Sequence, residues 1–109
     1  MYAYEIPGMR FSLPAGAAVA RHRFVSANAD SKGVQATADT PVIGVSMNET
    51  EPDEVLEIAD GIVMVEAAGA IAAGAAVKSD AEGKATAGAG AGVAITGATA
   101  AGDLITVKL

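Results

Sequence analysis

The pentapeptide Ala-Gly-Ala-Ala-Val occurs twice in this chain, at Ala15–Val19 and at Ala73–Val77, and each copy opens a segment that follows the same script. After the first copy come Asp30 to Gly33, the run Val34 to Ala38, the apolar Ile43 to Val45, and an acidic stretch leading into Val55 to Ile58. After the second come Asp80 to Gly83, Lys84 to Ala87, Val93 to Ile95, then Gly102 and Asp103 leading into Leu104 to Val107. Once a longer first linker is allowed for, matching positions are about 50 residues apart, the size of a supersecondary unit and not of an independent domain. Two such units must share one core, and a chain of 109 residues is expected to be a single domain.

That core is thin in bulky side chains. Half of the residues are formally hydrophobic, but 26 are Ala, and there are only two Phe, two Tyr and no Trp. Burying Ala removes little apolar surface, whereas a fully buried Val, Leu or Ile contributes roughly 1.5–3 kcal/mol. A partner surface is therefore expected, most simply other copies of the same chain. The larger apolar residues are mostly Val and Ile, which suit pleated strands, and the Ala-rich segments are broken by Gly before a helical period can establish itself. The expected fold is all-β: a small β-sandwich or β-barrel-like domain built from two similar β units.

The organisation expected along the chain is an extended N-terminal arm over 1–14 and one β domain over 15–109, with repeat units of about 15–67 and 71–109. Pro7, Gly8 and Pro14 are expected to keep the arm from regular structure, while Tyr2, Tyr4, Ile6, Met9, Phe11 and Leu13 make it sticky. Val19 to Val25 reads as a strand, with Arg21 and Arg23 on one face and His22 and Phe24 on the other. Asn28 to Gly33 reads as a turn, and Val34 to Ala38 and Val42 to Met47 as short strands. Val55 to Ala67 reads as two strands or one bent strand, because Asp60 and Gly61 give a turn or bulge signal midway. Val77, Lys84 to Ala87, Gly92 to Ile95 and Leu104 to Leu109 complete the set.

No residues assemble a recognisable chemistry. Gly88, Gly90 and Gly92 do not have the spacing of a phosphate-binding or dinucleotide-binding loop, and a tightly turning loop is expected there. His22 is the single histidine and there is no cysteine, which leaves no base–nucleophile pair and no zinc set. Glu49, Glu51, Asp53, Glu54, Glu57 and Asp60 lack the order of a calcium loop and are expected to face solvent. The expectation is no catalytic residue, no cofactor, no metal and no enzymatic activity. The start has no signal-peptide pattern, and no apolar stretch is long enough to span a membrane as a helix.

Charge is the more informative pattern. The net charge is −6, which disfavours nucleic acid as the main partner. Arg10, Arg21, Arg23 and Lys32 lie in the first 32 residues, none of the seven cations lies between Gly33 and Val77, and seven of the thirteen acids fall between Glu49 and Glu66. A basic end and an acidic middle can meet across a head-to-tail interface or face an acidic partner.

Taken together, Pro41 to Val45, the acidic loop, Val55 to Ile58, Gly61 to Ala67, Ile71 to Val77, Asp80 to Gly83 and the closing Ile105 to Leu109 resemble the small capsid decoration, or cement, proteins of tailed bacteriophages. The resemblance runs from about Leu13 to the C-terminus. It implies a β-rich virion protein on the outer surface of the expanded head, made in the host cytoplasm, commonly trimeric, with the major capsid protein as partner and head stabilisation as its role. On that reading Met1 to Leu13 and Arg21 to Phe24 contact the capsid or a neighbour, and Asn48 to Glu54 faces solvent. A small β-rich binding or carrier module of non-viral function is the alternative. A biotinyl-type or lipoyl-type carrier would present a modifiable Lys at a hairpin tip, and neither Lys78 nor Lys84 has that context.

Overall fold

The computed structural model describes residues 3–109; the expectations attached to Met1 and Tyr2 lie outside them. Nine strands form one curled antiparallel sheet: β1 (Ile6–Pro14), β2 (Phe24–Ala27), β3 (Gly33–Gln35), β4 (Gly44–Ser46), β5 (Val55–Glu66), β6 (Ala76–Ser79), β7 (Ala85–Ala87), β8 (Gly92–Ala94) and β9 (Leu104–Lys108). The order across the sheet is β3-β2-β4-β5-β9-β8-β6-β7, with β1 paired to β5 as well. No described residue is helical, as the β-branched and Gly-punctuated sequence requires.

Strand β5 joins the two halves. Its first part pairs with β1 from Leu13↔Leu56 to Arg10↔Ala59, and its second part pairs with β9 from Val65↔Ile105 to Ile62↔Lys108. These ladders are the same ladder repeated: Arg10–Pro14 maps onto 62–66 at an offset of 52 residues, and 55–59 onto 104–108 at an offset of 49. The strand that closes the first half therefore opens the second. Gly61 sits at the changeover with φ +102, opposite the bulge at Gly8, and the two backbones approach so closely that a Cβ at position 61 would lie 2.6 Å from the Gly8 nitrogen. Val55 to Ala67 is thus one strand bent at Gly61 and ending at Glu66.

Backbone signatures extend the match. Positive φ occurs at His22, Ser31 and Asp53 in the first half and at Gly74, Gly83 and Gly102 in the second. Asn28 Oδ1 accepts from the amides of Asp30 and Lys32, and Asp80 Oδ1 accepts from those of Glu82 and Lys84, closing the same turn 52 residues apart. Parallel bridges Ala15↔Gly33 and Ala67↔Ala85, and antiparallel bridges Val19↔Thr50 and Ile71↔Ala98, complete the correspondence.

The structure corrects three expectations. The literal copies of Ala-Gly-Ala-Ala-Val are not equivalent: Ala15–Val19 superposes in role on 67–71, and 73–77 on 21–25, because hydrogen bonding and φ set the register while small residues merely recur. Ile6–Pro14 is a regular strand despite Pro7, Gly8 and Pro14, since β1 is bonded along one edge only and the irregularity is absorbed in the bulge. It has a counterpart in the second half of β5. Residues 19–25 do not form a strand; His22 takes φ 61 and the chain turns there, so that β2 begins at Phe24.

Two cores result. One gathers Ala15, Val19, Val25, Leu56 and Ile58, with Phe11, Leu13 and Ile43 packed at its rim. The other gathers Val63, Val65, Ile71, Val77, Ile105 and Val107 together with Phe24, Val45 and Ala59, which stand on the back of the first half. The second half thus closes its core on the outer face of the first, which is why so few bulky residues suffice. Thr106, buried on the opposite side of β9, donates to the Tyr4 carbonyl and accepts from the Tyr4 amide, both at 2.6 Å, tying the N-terminal segment across that strand.

Gly61→Ala is expected to cost about 1–3 kcal/mol, from left-handed strain and the contact with Gly8. Gly69→Ala, where a Cβ meets nothing within 4 Å, should stay within about 0.5 kcal/mol of the parent. Chemical denaturation of both variants checks the contrast; equal stabilities would contradict the shared-strand geometry.

Candidate functional site

No pocket is found among the described residues, and no group of His, Asp or Glu there is placed to hold a metal ion. Among the described residues, the large apolar side chains that remain exposed are Tyr4, Ile6, Met9, Val55, Val93 and Leu104. Ile6 and Met9, each more than 60% exposed, project from β1, with the exposed Arg10 beside them. Because β1 pairs only with β5, its other edge is a row of strand backbone facing outward. The described part of the arm therefore combines an open edge, two apolar side chains and a cation.

The Arg21 to Phe24 segment behaves differently from expectation. Phe24 is fully buried in the core. Arg23 Nη1 donates to Glu66 Oε1 at 3.1 Å, and Lys84 Nζ lies 3.4 Å from the other oxygen of the same carboxylate. The Glu66 amide also donates to the His22 carbonyl. This cluster clamps β2, the end of β5 and the turn before β7, so Arg23 serves the junction between halves, and of the four residues only Arg21 is exposed. Sequence reasoning missed this because the pairing of Arg23 with Glu66 spans 43 positions.

Burial, reinforced by the adjacent Arg21 charge, holds the His22 imidazole below its ordinary value; Glu5, a hydrogen bond to the Met64 backbone and Glu66 pull the other way. Glu51, Asp53 and Glu54 face solvent, and Asp53 pairs with Lys32 at 2.8 Å. Lys78 lies within β6, with its stem over Gly88 and Gly90, and Lys84 is held by Glu66 and Glu82; neither stands free at a hairpin tip as a carrier lysine would.

Comparison with known proteins decides between the readings that this exterior leaves open. A family model described as phage cement protein matches residues 5–109. The chain belongs to the phage cement protein family. It is therefore a capsid-associated structural protein, not a member of an enzyme family. The N base of the head fiber gp8.5 of bacteriophage phi29 has a similar structure, with a TM-score of 0.77 and 18% identity over 93% of this chain and 92% of that one. At that identity the likeness concerns the fold. No curated protein matches the sequence.

Two outcomes follow for the cement protein's own residues. Arg23→Glu, which sets a second carboxylate against Glu66, should lower stability by about 1.5–3 kcal/mol, while Arg21→Glu changes it by less than about 0.5 kcal/mol; thermal denaturation distinguishes them. For His22 the unfolded chain takes up a proton at a higher pH than the folded one. Stability consequently falls as pH drops through about 6.5, and levels off once the pH is below the depressed folded value. His22→Gly, compatible with φ 61, should flatten the dependence of melting temperature on pH across this window; an unchanged slope would assign it to another group.

Proposed function

We propose that this protein binds the outer surface of a phage capsid as a trimer and stabilises the expanded head without catalysing any reaction. The observation that carries the reading is membership of the cement family over residues 5–109. The exposed edge of β1, with Ile6, Met9 and Arg10 along it and Tyr4 just before it, supplies the attachment to the major capsid protein. An open strand edge offers main-chain hydrogen bonds to an extended segment of the shell, and the apolar side chains supply contacts that are lost to water when the subunit leaves.

The physical mechanism is linkage. A subunit that binds only the expanded lattice lowers its free energy relative to unexpanded or broken shells. Three attached copies act together, so that modest contacts per copy become strong in sum. The protein is made in the host cytoplasm and acts on the virion surface. We infer further that its body comprises two copies of one β unit, with the arm belonging to the first copy, in line with the matched ladders of β1 with β5 and of β5 with β9.

The test is retention on expanded heads that lack the protein. Met9→Glu combined with Arg10→Glu should reduce the bound copies at least tenfold while native mass and melting temperature stay near those of the parent. Full retention would remove β1 as the attachment, and a parent chain that ignores expanded heads would end the capsid reading.

A further inference from the structure

The repeated ladders make the two halves directly comparable, and one row of side chains differs sharply between them. In the first half, Arg10, Ala59, Val45 and Phe24 stand opposite one another across β1, β5, β4 and β2. Directly opposed residues in antiparallel strands share a face. Ala59, Val45 and Phe24 are fully buried there, because the second half packs over them. In the second half the corresponding row is Ile62, Lys108, Val93 and Ala76 across β5, β9, β8 and β6, extended at one end by Ile6. Among the described residues nothing covers it fully: Ile6, Lys108, Val93 and Ala76 are exposed and Ile62 is half-buried.

The opposite face shows the complementary deficit. The core face of the second half, Val63 and Val65, is sealed by the back of the first half. Its counterparts in the first half, Phe11 and Leu13, are only partly buried at the rim of their core, together with Ile43. The chain thus has one used copy of a stacking interface and one unused half of it at each end.

We propose that these two ends meet in a second copy of this chain, the face around Val93, Ala76 and Ile62 receiving the Phe11, Leu13 and Ile43 side of its neighbour. The internal interface gives the docking geometry. There the turn before β7 lies against β2, with the Phe24 amide donating to the Gly83 carbonyl at 2.7 Å. Between copies Ser31, which shares the positive φ of Gly83, comes against Ala76, the counterpart of Phe24. Ser31 has a side chain where Gly83 has none, and a Cβ at position 83 would lie 2.9 Å from the Phe24 carbonyl, so the neighbour seats slightly further out than the internal half.

Charge favours the same partner. Lys78, on the same face as Ala76, and Lys108 make no ion pair among the described residues, and the incoming turn carries Asp30. A chain of net charge −6 that presents two lysines without ion pairs among the described residues beside Val93 and Ala76 is suited to another copy's acidic turn. The contact is heterologous, so three copies can close a ring while three row faces and three rim faces are all consumed.

This inference specifies the self-association in the proposed function and rests on that part of it. The chain contains no cysteine, which makes directed cross-linking clean. Ser31→Cys and Ala76→Cys chains, mixed and oxidised, should give a covalent dimer that neither gives alone. Val93→Glu should shift the native mass from a multiple of the chain mass to the monomer, weakening association at least tenfold. An oligomeric parent with no mixed cross-link and an unaffected Val93→Glu mass would overturn the interface and leave self-association standing. A monomeric parent at every concentration would overturn both.

Discussion

Everything in this fold hangs on the double pairing of β5. One strand of twelve residues supplies the last ladder of the first half and the first ladder of the second, and Gly61 lets the backbone turn between the two roles. Sharing a strand fixes the halves in orientation and makes the outer face of one the floor of the other's core. A chain with few bulky residues can be stable on these terms, because Phe24, Val45 and Ala59 contribute burial on a face that an isolated unit would leave to solvent. The Arg23, Glu66 and Lys84 cluster adds a partly buried electrostatic clamp at the same junction.

Stacking by a shared strand also determines what stays outside. A repeat of two leaves an unsatisfied face at each end, as in any short solenoid-like array. Here those ends are the Val93 face and the Phe11 rim, while β1, like β3 and β7, is paired with a strand on one side only and leaves an open edge. In the two proposals, attachment uses the free backbone edge of β1, while self-association uses the Phe11 side of that same strand and the face of β6, β8 and β9. In the proposed trimer, cohesion among copies would convert weak individual contacts with a shell into a durable one.

The all-β class was legible because it rests on local composition, on Val and Ile runs with Gly punctuation, and a recurring turn pointed to the ladder that the structure repeats. The register of the duplication was not legible. The eye is drawn to Ala15–Val19 and Ala73–Val77, but the structural repeat is carried by hydrogen-bonding positions occupied by different residues, Asn28 against Asp80 and His22 against Gly74. The strand character of Ile6–Pro14 was hidden by its two prolines, which an edge strand tolerates and a central one does not. The role of Arg23 was hidden by distance along the chain, and its apparent place on a strand face disappeared once His22 turned the backbone. Family resemblance read from small apolar motifs carried the functional class, and no single residue could have done so.

The most direct measurement is a cryo-electron microscopy reconstruction of expanded heads decorated with this protein, at a resolution that traces its strands. The account predicts β1 lying against the shell, with neighbouring copies joined through the β6, β8 and β9 face of one and the Phe11 side of the next. Density that places β1 toward solvent, with the shell contacted through the acidic loop at 48–54, would contradict it.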